Sequence, residues 1–151
     1  MEINIMSLIR GFSKVDEEGK IAIPSNIRKK AGLSAGSLVE IKVIRIKDSS
    51  RWPHLIVHAF RVCPRLSMFQ VVMREEEIEI DDEANLILTD DLLEEAKLEP
   101  NYRVEIKLYG PNQGEWITIY NRGPNRLTTL QEKIGRMGKA KKKWKEMTIE
   151  Y

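Results

Sequence analysis

Apolar and polar positions alternate along several short stretches of the chain, and that alternation is its plainest structural signal. Val39, Ile41 and Val43 fall on one side of an extended segment, with Glu40 and Lys42 on the other. A period of two marks a half-buried strand. Across residues 38–47 the apolar side switches near Val43 and Ile44, which predicts a bulge or a sharp twist there. Residues 12–44 as a whole read as a strand, an acidic turn closed by Gly19, a short strand ending at Pro24, a brief basic helix stopped by Gly32, and the alternating strand. Met6, Leu8 and residues 10–12 lead into this unit. Residues 55–60 predict a second, more buried strand, and beyond the break at Pro64 residues 66–73 predict a further one.

The pattern then returns. A shift of 65 positions sets Val15-Asp16 on Ile80-Asp81, Leu33 on Leu98, and Val39-Glu40-Ile41-Lys42 on Val104-Glu105-Ile106-Lys107, without a gap. Self-similarity at a fixed offset marks an internal duplication. Trp116-Ile117-Thr118-Ile119-Tyr120 takes the place of residues 55–60 as the closing strand, after a loop holding Gly110, Pro111, Asn112 and Gly114. The expected organisation is repeat one over residues 1–62, repeat two over residues 63–121, and a basic tail over residues 122–151.

Charge separates the copies. Where the first has Gly19, Lys20, Pro24, Arg28, Lys29 and Lys30, the second has Ala84, Asn85, Thr89, Leu93, Glu94 and Glu95. Residues 10–47 carry nine basic and four acidic side chains, whereas residues 75–109 carry three basic and thirteen acidic. A surface for duplex DNA needs cations that displace the phosphates' counterions, so only the first copy qualifies. For the second, a solvated acidic face is the plain explanation, and a surface for a basic protein partner or for the chain's own basic tail is the sharper one. In the first copy Ser25 or Asn26 is expected as N-cap, which sets Arg28, Lys29 and Lys30 near the helix start, where the macrodipole favours anions. In the second, Thr89 is a sound N-cap followed by Asp90, Asp91, Glu94 and Glu95. Copy two therefore reads as built for stability and copy one as the functional half. A solvated basic face is the alternative for copy one, but Lys14 and Lys20 on the adjoining hairpin favour a single positive surface suited to phosphates.

The run Val15-Asp16-Glu17-Glu18-Gly19-Lys20-Ile21-Ala22-Ile23-Pro24, followed by Ile27-Arg28-Lys29-Lys30-Ala31-Gly32-Leu33, resembles the DNA-binding unit of AbrB/MazE/SpoVT-type swapped-hairpin regulators. The match covers residues 12–44 without a gap. It departs from the family pattern at Lys20, which stands where Arg is usual and lacks its bidentate fork, and at Ala31, which stands where Leu is usual. The resemblance implies a mostly β fold: a swapped-hairpin barrel of two β-β-α-β-β repeats, closed either within one chain as a pseudo-dimer or between like copies of two chains. It also implies a regulator of transcription contacting duplex DNA through Lys14, Lys20, Arg28 and Lys29, with Lys30 added here on charge. One basic half-surface offers few cations, so a homodimer or higher even oligomer is expected.

Composition adds limits. The chain has 151 residues, a net charge of +2 and 42% hydrophobic residues, which fits one compact domain or two very small ones. Its single cysteine, Cys63, rules out an internal disulfide framework and is expected as a buried small hydrophobe. His54 and His58 share one face of a strand without a third ligand nearby, so no metal site and no cofactor are expected. The acidic run Glu75, Glu76, Glu77 and Asp81, Asp82, Glu83 is too continuous for a poised acid/base pair, and with no phosphate-cradling loop or Cys/His pair, no enzyme is expected. The start of the chain lacks a basic export signal and no apolar run approaches the roughly 20 residues of a membrane span, which suggests a cytoplasmic protein. In the tail, Lys139, Lys141, Lys142, Lys143 and Lys145 surround Trp144 on an interrupted helix, an arrangement suited to accessory contact with DNA or RNA. A protein-interaction module, antitoxin-like or part of a ribonucleoprotein, is the alternative function.

Overall fold

The computed structural model describes residues 9–124. In chain order they form β1 (Arg10–Lys14), β2 (Lys20–Ala22), α1 (Ser25–Lys30), β3 (Leu38–Ile46), β4 (His54–His58), β5 (Gln70–Glu79), β6 (Asn85–Ile87), α2 (Asp90–Glu95), β7 (Tyr102–Tyr109) and β8 (Trp116–Pro124). Among the described residues the chain is mostly β with two short helices. Among the described residues, no helix is long and apolar enough to cross a membrane.

Six strands make one antiparallel sheet in the order β1-β7-β8-β4-β3-β5, and β2 with β6 makes a separate two-stranded ribbon. Matching the elements by their place in each half turns β1 into β5, β3 into β7 and β4 into β8, so the sheet order reads the same from either end. β1 of the first half pairs with β7 of the second, β5 of the second pairs with β3 of the first, and β4 meets β8 at the centre. Each half thus lends its leading strand to the other. The sheet is open, with β1 and β5 as its edges.

Burial follows the alternation. Val39, Ile41 and Val43 of β3, Leu55 and Val57 of β4, Val104, Ile106 and Leu108 of β7, and Ile117 and Ile119 of β8 belong to one core. Ile21, Ile27 and Leu33 complete it from the first half, and Leu86, Leu92 and Leu98, each 65 positions on, complete it from the second. Removing one such side chain from water stabilises by about 1.5–3 kcal/mol. Neither half alone is large enough to close this core.

The duplication extends to single hydrogen bonds. Asp16 Oδ1 accepts from the amides of Glu18 and Lys20, both at 2.8 Å, and Asp81 Oδ1 accepts from those of Glu83 and Asn85 at 3.0 and 2.9 Å. The left-handed positions Gly19, Gly32 and Gly36 of the first half recur at Ala84, Lys97 and Asn101, with φ of 67°, 58° and 71°. The second half keeps the backbone conformation without the glycine that would relieve it.

The predicted bulge is present, as a register shift between Val43 and Ile44 against β5. Other expectations need correction. The strand after Pro64 runs over Gln70–Glu79, not residues 66–73. Within it Glu75, Glu77 and Glu79 lie opposite Lys42, Glu40 and Leu38 and leave the sheet's core side to Ile78. Cys63 is exposed, because its neighbour Val62 takes the inward position against Ile44, Ile56 and Trp116. Strand β8 continues through Pro124, so residues 122–124 of the expected tail belong to the sheet. Met6, Leu8 and the expected helical tail, with Lys139, Lys141, Lys142, Lys143, Trp144 and Lys145, lie outside the described residues.

Candidate nucleic-acid interface

The five cations expected to contact DNA do not form one patch. Helix α1 starts directly after Pro24, whose φ of −53° is ready for a helix, and no side chain caps its first turn. Ser25 and Asn26 both lie inside the helix, which corrects their expected role as caps. Gly32, at φ +69°, ends α1 so early that Arg28, Lys29 and Lys30 occupy its last turn rather than its start. The macrodipole favours cations there, so the expected placement at an anion-favouring end is overturned.

Each of the three then has its own environment. Arg28 Nη1 donates to the Leu33 carbonyl at 3.0 Å, and its buried Nε has no partner. Arg28 therefore serves the helix end. Lys29 and Lys30 are exposed and line a cleft of about 430 Å³ together with Arg61 and Gln113. Arg61 Nη1 donates to the Gln113 carbonyl at 3.0 Å, which aims the guanidinium across the mouth of the cleft. Nothing in the sequence marks Arg61, because only the return of β4 along β3 brings it beside α1.

Lys20 is held at the ribbon. Its Nζ lies 3.2 Å from Glu18 Oε2 and 3.8 Å from Asp81 Oδ2 of the second half. The hydrogen bond and charge of Glu18, then Asp81 and Asp16, raise its pKa. Lys14 lies elsewhere. Gly11 of β1 turns its missing side chain toward Pro24 and Ile27, so the alternate residues Arg10, Phe12 and Lys14 face the opposite side of the sheet, where Lys14 is level with Arg103.

The second half answers with carboxylates. Thr89 Oγ1 accepts from the Leu92 amide at 3.2 Å and donates to Glu76 Oε1 at 3.0 Å, the N-cap that the sequence predicts. Glu95 closes α2 at the end its dipole disfavours, and Arg74 offsets this by reaching Glu76, Asp91 and Glu95 at 3.3, 3.9 and 4.0 Å. At the positions matching Lys29 and Lys30 stand Glu94 and Glu95, so the cleft's charge is not repeated.

Fold and surface together define a class: a duplicated, strand-exchanging, mostly β protein with basic side chains gathered on one half. No protein-family model matches the chain, and no curated protein does. Among solved structures it is similar to one described as the solution structure of PHS018 from Pyrococcus horikoshii, with 18% identity over 78% of this chain and 91% of that one, and a TM-score of 0.37.

Proposed function

We propose that this chain is an AbrB-like regulator of transcription that binds duplex DNA through the first half. The observation that carries the reading is the clustering of Lys29, Lys30 and Arg61 at the end of α1, where the matching turn of the second half is acidic. Three cations at one cleft suit phosphate contacts, which position a protein on DNA without reading bases. Strand exchange between the halves supports a swapped-hairpin family, here as a pseudo-dimer within one chain. Lys20 joins the contact surface by leaving Glu18, whereas Lys14 faces the opposite side of the sheet and stands outside it. Arg28 contributes by holding the helix end that presents its neighbours. No cofactor and no catalytic step belong to this reading, which places the protein in the cytoplasm.

A full operator contact needs more cations than one half supplies, so two chains pair about a two-fold axis with their acidic halves away from the DNA. Exposed Met68, Phe69, Val72 and Met73, at and beside edge strand β5, offer apolar area for that pairing. The second reading is a protein-interaction module, favoured by the glutamates Glu75, Glu77 and Glu79 along the same edge, which suit a basic partner.

The test is duplex affinity as a function of salt. Lys29→Ala with Lys30→Ala should weaken binding and lower the slope of log K against log salt by about one to two units. An equal loss from Asn85→Ala or Glu94→Ala would overturn the assignment to the first half.

A further inference from the structure

The side of the six-stranded sheet opposite the helices carries a second, differently built site. Val62 and Leu66 pack over Ile44, Ile56 and Trp116 at one end of that side. Toward β7 and β1 it opens into a cavity of about 610 Å³, lined by Arg51, Trp52, His54, Lys107, Tyr120 and Arg122. Register places Phe12, Glu105, Tyr120 and His54 in one row across four strands.

The row alternates rings and charges. Lys107 Nζ lies 5.3 Å and Arg122 Cζ 5.1 Å from the centre of the Tyr120 ring, and the His54 ring is 5.5 Å away. Arg10 lies 5.9 Å from the Phe12 ring, which is 67% exposed. The carboxylate in the row, Glu105, is consumed by Arg122 at 3.0 Å and Arg10 at 3.3 Å. Arg51 and Lys107 lining the cavity have no carboxylate within ion-pair distance among the described residues, and Lys14 with Arg103 continues the positive track along β1. Burial, then the hydrogen bond with Tyr109, pushes the Tyr120 phenol up, and burial pushes His54 down, so both rings stay uncharged at neutral pH.

Flat neutral rings flanked by cations recognise bases joined by phosphates. Rings that stack on a base reach only bases that are unpaired, because in a duplex the faces are already stacked. Phe12 and Tyr120 are two strand spacings apart, about 10 Å, within the reach of neighbouring unstacked nucleotides. We infer that this open sheet side binds single-stranded nucleic acid, with Tyr120 and Trp52 stacking one base, Phe12 another, and Arg51 and Lys107 holding the phosphates. The site is separate from the cleft at α1, so it stands or falls independently of the duplex-binding proposal.

The test uses the full chain and fluorescence anisotropy with labelled 12-nucleotide RNA, DNA of the same sequence, its duplex, and a competing mononucleotide. Trp52→Ala and Phe12→Ala change exposed side chains, and Lys107→Ala removes a cation; thermal melts of each establish that the fold is kept. Each is expected to weaken single-strand binding by about ten-fold and leave duplex binding unchanged. The Lys29→Ala, Lys30→Ala pair is expected to show the reverse. Comparing RNA with DNA tells which sugar the site accepts, and either supports the inference. Unchanged single-strand affinity in all three variants, an equal loss for the duplex, or a mononucleotide that binds as tightly as the 12-mer would each overturn it.

Discussion

Capping chemistry separates the two helices more clearly than their charge does. Thr89 holds the Leu92 amide, whereas the first turn of α1 has only Pro24 ahead of it. Thr89→Ala should therefore destabilise by about 1 kcal/mol, and Ser25→Ala should change stability by less than about 0.5 kcal/mol, as denaturant midpoints will show. Glycine chemistry gives a second residue-scale expectation. Lys97 is exposed and holds φ 58° just past the end of α2, the place Gly32 takes after α1. Lys97→Gly relieves a left-handed strain of about 1–2 kcal/mol, offset by glycine's backbone entropy of about 0.5–1 kcal/mol; a small rise in midpoint is expected. A fall would mean that the Lys97 side chain itself supports the fold.

Glu105 links residue and pH. Burial alone would raise its pKa, but the hydrogen bond and charge of Arg122, with Lys107 and Arg10, hold it below the usual carboxylate value. A depressed folded pKa gives stability that is fully present above the unfolded value, about 4.3, and fades as pH falls through the folded one. Melting temperatures of the natural chain and Glu105→Gln should therefore differ most near pH 6 and converge as the pH is lowered toward 3. A constant gap would show that shape rather than charge governs this site.

At the scale of elements, the sequence showed what local alternation and turn chemistry encode. The bulge at Val43 and Ile44 announces itself because the apolar side changes there, and β6 and α2 fall 65 positions after β2 and α1 because both copies keep the same turn. Strand β5 was legible only at its start, where Val71, Val72 and Met73 mark it; its continuation through the glutamates has Ile78 as its one buried position, since an edge strand needs only one apolar side. The short span of α1 misled the reading of Arg28, Lys29 and Lys30: their relation to the dipole depends on where the helix begins and ends, and Pro24 and Gly32 leave it only six residues. Arg61 and the row from Phe12 to His54 were invisible for a different reason. They come together through strand order, which pairing across the halves decides and no local pattern records.

For the whole molecule the exchange of leading strands makes the halves mutually dependent. Stopping the chain at residue 62 would leave β1 without β7, β2 without β6 and β3 with a bare edge. The full chain should melt in a single cooperative transition, with circular dichroism and tryptophan fluorescence coincident, and the fragment should show no stable strand signal as a dilute monomer. Two separated transitions would contradict the coupling. Substitutions in matched core positions, Ile27→Ala and Leu92→Ala, should each lower stability by about 2–5 kcal/mol, and neither should leave a half intact.

The palindromic strand order carries a genetic consequence. In a protein built from two identical chains every mutation is inherited twice, once on each side of the axis, so the sides cannot drift apart. Here each position of the paired architecture has its own codon. Gly32 and Lys97, or Lys29 and Glu94, occupy equivalent places yet answer to separate selection. Two copies on one chain can form an object with a front and a back, which allows opposite charges to settle on its two halves.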